Sequence, residues 1–207
     1  MITAALGAVT ATVTLTVAQR PLFVVLGTGK VVNAPSSTQY ALPYSVLVTD
    51  ADGNPIAGAI VDLSVLPTHY QKGFYDKVSD VNHNCGWQKV LTSPACENED
   101  RNQNGLLDPG EDFNNNGRVD PGNVVTASPS TVTTDTSGFA FFNVVYAKQY
   151  TWVEVALEAR TVVAGTEGSS QAQFFLLGAA SDFNDCTVPP PGQISPFGIA
   201  ITCADPL

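Results

Sequence analysis

The stretch YSVLVTDADGNPIAGAIVDLSVLP, residues 44–67, sets two runs of Val, Ile and Leu on either side of DADGNPIAG. Asp, Asn, Gly and Pro each favour tight reversal, so the segment reads as strand, turn, strand. The same grammar recurs outward in both directions. TATVTLTVA (Thr10 to Ala18) alternates Thr with apolar residues, and PLFVVLGTG follows it. Further along come TVTTDTSGFAFFNVVYA, TWVEVALEARTVV and SSQAQFFLLG, separated by Gly- or Ser-bearing turns. A period of two marks half-buried strands, and no stretch carries a helical period of useful length. Short strands with turns at such intervals predict an all-β fold, a β-sandwich.

The 207 residues suffice for a real hydrophobic core. With 44% hydrophobic and 14% charged residues the chain is globular rather than disordered. A formal net charge of -10 argues against nucleic acid and anionic membrane surfaces as partners. No run reaches the ~18 apolar residues of a membrane helix. The start, MITAALGAVTATVTLTVAQ, lacks the basic n-region of a signal peptide. Four cysteines, Cys85, Cys96, Cys186 and Cys203, lack zinc or redox spacing, and an even count suits disulfides in an oxidising, extracellular setting. Three pairings are possible; Cys85–Cys96 and Cys186–Cys203 close the shortest loops and are the expected ones.

From Tyr44 onward the chain resembles a bacterial immunoglobulin-like domain of the invasin and intimin type. The residues that carry the likeness are VTDADGNPIAGAIVDLSV, TTDTSGFAFFNVVYA, VEVALEA and QAQFFLL. The resemblance implies an immunoglobulin-like Greek-key β-sandwich serving as a structural module of a surface adhesin, stalk or filament. It covers most of the chain outside residues 68–124 and the tail after Gly178. The expected organisation is an N-terminal strand over 1–20, which either closes an upstream domain or is donated to a neighbour, and a sandwich over 21–207. Within the sandwich lie an insertion, 68–124, and an extended Pro-rich tail, 179–207. Expected partners are other immunoglobulin-like domains or identical subunits, joined head to tail.

The insertion contains DRNQNGLLDPGEDFNNNGRVDPGN, Asp100 to Asn123, a phrase said twice at a spacing of twelve. Calcium loops of EF-hand type present oxygens at positions 1, 3, 5, 7, 9 and 12 around a Gly at 6. The first copy supplies Asp100, Asn102, Asn104, the Leu106 carbonyl, Asp108 and Glu111, and fits the full motif. The second supplies Asp112, Asn114, Asn116, the Arg118 carbonyl and Asp120, with Asn123 where the bidentate Glu belongs. Two Ca²⁺ ions are the expected cofactors. The second loop has fewer carboxylates and should bind more weakly unless Glu97 or Glu99 reaches across. No helix flanks either loop, so the pair predicts a rigid clamp rather than a sensor.

Other chemistry is sparse. His69 and His83 lack metal spacing, and Asp135, Glu154 and Glu158 read as turn or outward-facing residues. No catalytic motif occurs, so the expectation is a non-enzyme. Tyr70, Phe74, Tyr75 and Trp87 have two readings: packing of the insertion onto the sandwich, or a calcium-dependent platform for sugar rings.

Overall fold

The computed structural model describes residues 2–7, 9–13, 21–79 and 85–207. It is all-β, with antiparallel pairing throughout. The chain runs β1 (Ile2–Leu6), β2 (Val9–Val13), β3 (Phe23–Gly27), β4 (Gln39–Thr49) and β5 (Ile60–Tyr70). It continues with β6 (Gly73–Ser79), β7 (Cys85–Leu91), β8 (Cys96–Glu97), β9 (Val125–Ser128) and β10 (Thr131–Thr133). The last strands are β11 (Phe139–Ala147), β12 (Val153–Val163) and β13 (Thr166–Phe175).

One sheet has the order β3-β4-β11-β9 and the other β10-β5-β12-β13, with β8 also paired to β5. Alternation explains the burial. Tyr40, Leu42, Val46 and Val48 of β4 and Phe142 and Val144 of β11 point to the same interior as Val61 of β5 and Val155 and Leu157 of β12. Each such side chain, fully removed from water, contributes about 1.5–3 kcal/mol. The two sheets therefore share one core, as sandwich layers do.

The turns form as their residues require. Asp50 Oδ1 accepts from the amides of Asp52 (2.9 Å) and Asn54 (2.8 Å), which closes the β4–β5 reversal. Asp135 does the same for Ser137 and Phe139 before β11, and a Cβ on Gly138 would meet the Val48 carbonyl at 2.7 Å. β5 runs on to Tyr70, so its last three residues lie inside the segment 68–124, which pairs back onto β5 through β8 before β9 begins.

At the N-terminus, β1 and β2 form a hairpin where a single strand over Thr10 to Ala18 was expected; residues 14–18 of that strand lie outside the described residues.

The tail is pinned along the β6–β7 hairpin. Tyr75 N donates to Gln193 O (2.8 Å) and Ser195 N to Gly73 O (2.9 Å). Trp152 is fully buried, donates from Nε1 to Gly192 O (2.9 Å), and faces the Tyr75 ring at 4.8 Å.

All four cysteines are disulfide-bonded, but not as the shortest-loop argument predicted. The bonds are Cys85–Cys186 and Cys96–Cys203, with Cα–Cα distances of 5.6 and 5.5 Å. The physical reason is the route of the tail. It lies across the insertion, so Cys186 arrives beside β7 and Cys203 beside β8, while neither cysteine of the insertion faces the other.

Candidate functional site

β8 places the doubled loop. It extends the edge of β5 through His69↔Glu97 and Tyr70↔Cys96. Asn98 then locks the start of the loop, its amide N donating to Thr68 O and its Nδ2 to Pro67 O, both at 2.9 Å. Cys96–Cys203 covalently holds the same point.

Within each loop the first aspartate organises the turn. Asp100 accepts from Asn104 N (2.9 Å) and Gly105 N (2.8 Å); Asp112 accepts from Asn116 N and Gly117 N, both at 3.0 Å. Gly105 and Gly117 have φ of +77° and +74°, the left-handed region that favours glycine, which explains the glycine at the sixth position of each. The side chains at positions 3, 5 and 9 converge. Asn102 and Asn104 Nδ2 meet Asp108 Oδ2 at 2.7 and 2.8 Å, and Asn114 and Asn116 Nδ2 meet Asp120 Oδ2 at 3.0 and 2.6 Å. The sequence repeat is thus a repeat of hydrogen bonding.

Each loop is closed by a glutamate, and one of the two comes from outside its loop. Glu111 completes the first loop, accepting from Arg101 N (3.2 Å) and Asp108 N (3.0 Å). The second loop is completed by Glu99, which accepts from Phe113 N (3.1 Å), Asn114 N (3.3 Å) and Asp120 N (2.9 Å). Glu111 is the twelfth position of its own loop, whereas Glu99, one residue before the first repeat, reaches across to the second. Asn123, which stands at the twelfth position of the second copy, is exposed. The Arg101 guanidinium lies 4.3 Å over the Phe113 ring, joining the second positions of the two loops.

Electrostatics distinguish the halves. The first loop is exposed at Asn102, Asn104 and Leu106, whereas Asn114 and Asp120 of the second are buried and Glu99 is fully so. Burial pushes the Glu99 carboxyl up, and the three backbone amides that donate to it oppose that shift. Lys72, also fully buried, donates from Nζ to the Asp205 backbone carbonyl. Burial lowers its pKa, while Asp205, Asp120 and Glu99 pull the other way.

The donor set of both loops is oxygen-rich and free of sulfur and imidazole, which fits a hard cation. Among the described residues no three His, Cys, Asp or Glu side chains are grouped so as to hold a metal ion. The carboxylates are turned onto backbone amides and asparagine NH₂ groups, because bare carboxylates repel one another and each needs a donor. Turning an asparagine amide through half a rotation exchanges its NH₂ for its oxygen, so the same side chains suit both wirings.

The remaining candidates fall elsewhere. His69 Nδ1 lies 2.9 Å from Glu154 Oε2, at ion-pair distance but out of line for a hydrogen bond. His83 lies outside the described residues. Tyr70 packs on Phe197 at 4.7 Å, Tyr75 on Phe183 at 4.9 Å, and Trp87 Nε1 donates to Asp185 O (2.8 Å). The tail engages Tyr70, Tyr75 and Trp87, which is the packing arrangement rather than an open platform.

Comparison of the chain with protein-family models, with curated proteins and with solved structures gave no match. Among the described residues no helix is long and apolar enough to cross a membrane.

Proposed function

We propose that the chain is a non-catalytic, extracellular structural module of immunoglobulin-like type, of the kind used in bacterial adhesins, stalks or filaments, with its doubled loop acting as a two-ion calcium clamp. The fold reading is supported by strand order. β3-β4-β11-β9 against β5-β12-β13 follows the A-B-E-D and C-F-G arrangement of immunoglobulin sandwiches. Two disulfides suit an oxidising compartment.

The observation that carries the clamp is the reach of Glu99 into the second loop. The first loop has its own closing carboxylate, Glu111, and Glu99 supplies the one the second loop's sequence lacks, so the two turns form one unit with matching oxygen sets. Asp100, Asn102, Asn104, Leu106, Asp108 and Glu111 would hold the first ion. Asp112, Asn114, Asn116, Arg118, Asp120 and Glu99 would hold the second. Bound calcium supplies positive charge that lets these oxygens face one another, stabilising the folded excursion by mass action. Assembly into a filament proceeds through the N-terminal segment, residues 1–20, by strand donation to a neighbouring subunit.

Isothermal titration after chelation should give two calcium ions per chain, and the thermal transition should rise with calcium and fall with EDTA. A transition indifferent to both counts against the clamp. Micrographs showing only single particles at every concentration count against filament assembly.

A further inference from the structure

The two outer faces of the sandwich are unlike. On β5, β12 and β13 the outward positions include Asp62, Glu154, Glu158, Arg160 and Glu167, a charged face suited to water. On β3, β4, β11 and β9 the outward positions hold no ionisable residue. Register sets Val25 opposite Leu47 and Leu47 opposite Phe139. Phe141 follows, its ring stacked near that of Phe139 at a centroid distance of 6.4 Å. Phe141 is 70% exposed, Val25 54% and Phe23 51%. Isolated exposed apolar residues are ordinary, but a contiguous aromatic patch marks a contact surface.

We propose that this face is a self-association surface on which a second copy of the chain seats the same face. Charge selects the partner. At a net charge of -10, two copies repel through most approaches. Only a surface without ionisable groups lets them meet without desolvating like charges. Shape agrees, because sheets stack face to face ~10 Å apart. Four strands spaced ~4.8 Å, with outward positions spanning ~20 Å, offer about 400 Å² per copy. That total of about 800 Å² lies below the range of stable specific interfaces and describes a weak, reversible pair. The contact is isologous, so it closes at two copies.

The competing occupant is the N-terminal hairpin, in which β1 pairs antiparallel with β2. Two five-residue strands span only about 10 Å by 17 Å and would leave more than half the patch uncovered. The proposal does not rest on the clamp, and the experiment runs in both calcium and EDTA to keep the two apart.

Sedimentation velocity of the full chain over rising concentration should show a monomer–dimer equilibrium. Phe141→Glu should weaken it at least ~100-fold, because a carboxylate is then buried unpaired. Val162→Glu, at a 66% exposed position on the opposite face, should leave it unchanged. A photo-crosslinking residue at position 141 should label residues 39–49 or 139–147 of another copy. A chain monomeric at every concentration, equal weakening by both variants, or labelling confined to residues 2–20 would each overturn the proposal.

Discussion

Replacing Glu99 by Gln is the sharpest perturbation of the doubled loop. The side chain is fully buried, and its carboxylate accepts three backbone amides of the second loop at 2.9 to 3.3 Å. Glutamine keeps the shape but has one acceptor oxygen. Its best placement retains Phe113 N and Asn114 N and turns NH₂ toward Asp120 N. One charge-assisted bond is lost at about 1.5–3 kcal/mol and the other two fall to neutral strength, so the cost is about 3 kcal/mol. For a chain of this length that lowers Tm by about 6–12 °C. Differential scanning calorimetry in EDTA reads this term without any ion, with Glu97→Gln as control, since Glu97 is exposed and bonded only to Arg101. In calcium, titration should show the stoichiometry falling from two ions to one. If Glu99→Gln melts like Glu97→Gln and still takes up two ions, the reach of Glu99 is not what holds the second loop.

Four further outcomes are expected. Non-reducing peptide mapping should recover Cys85–Cys186 and Cys96–Cys203 and neither short-loop pair. Breaking Cys96–Cys203, which spans 107 residues, should cost about 4–5 kcal/mol by chain entropy, read as a lower urea midpoint for a Cys96→Ser, Cys203→Ser double variant. Burial alone would raise the Asp182 carboxyl, but hydrogen bonds from Lys148 and Tyr40 bring it below the usual range. Its stabilisation is therefore present above the unfolded value near ~3.9 and lost as pH falls through the folded one, so Asp182→Asn should flatten the acid limb of a Tm–pH curve. Burial lowers Lys89 to about 8 and raises Tyr44 and Tyr70 to about 12. Between about pH 8 and 10 the unfolded chain holds the extra proton and stability rises; above ~10 unfolded tyrosines ionise first and it falls, and Lys89→Met should remove the rise.

The strands of the two sheets were legible because their pattern is local. Val46, Val48, Val61, Val155 and Leu157 recur at period two, and the Asp50 and Asp135 turns announce themselves by residue type. The loops were legible for the same reason, since the backbone repeats what the sequence repeats. The disulfide pairing was not, and Glu99 was legible only as an alternative to Glu97. The disulfide pairing depends on where a Pro-rich tail lies, and nothing in the spacing of Cys186 and Cys203 tells which strand each will reach. Glu99 sits outside the linear motif, and only the pairing of two repeats brings it to the second loop. The signal that pointed to it was the missing glutamate at Asn123, together with an unclaimed acidic residue one step before the first repeat.

The interleaved cross-links also decide how tension would pass through the molecule. Pulled from its two ends, the chain straightens only as far as Cys96, crosses to Cys203, and leaves by the last residues of the tail. Residues 97–202, including β9 to β13 and both loops, hang off that route as a shielded side branch. About half the contour length is thus withheld from stretching, so the module yields a short tether under load and keeps its loops out of harm while it does.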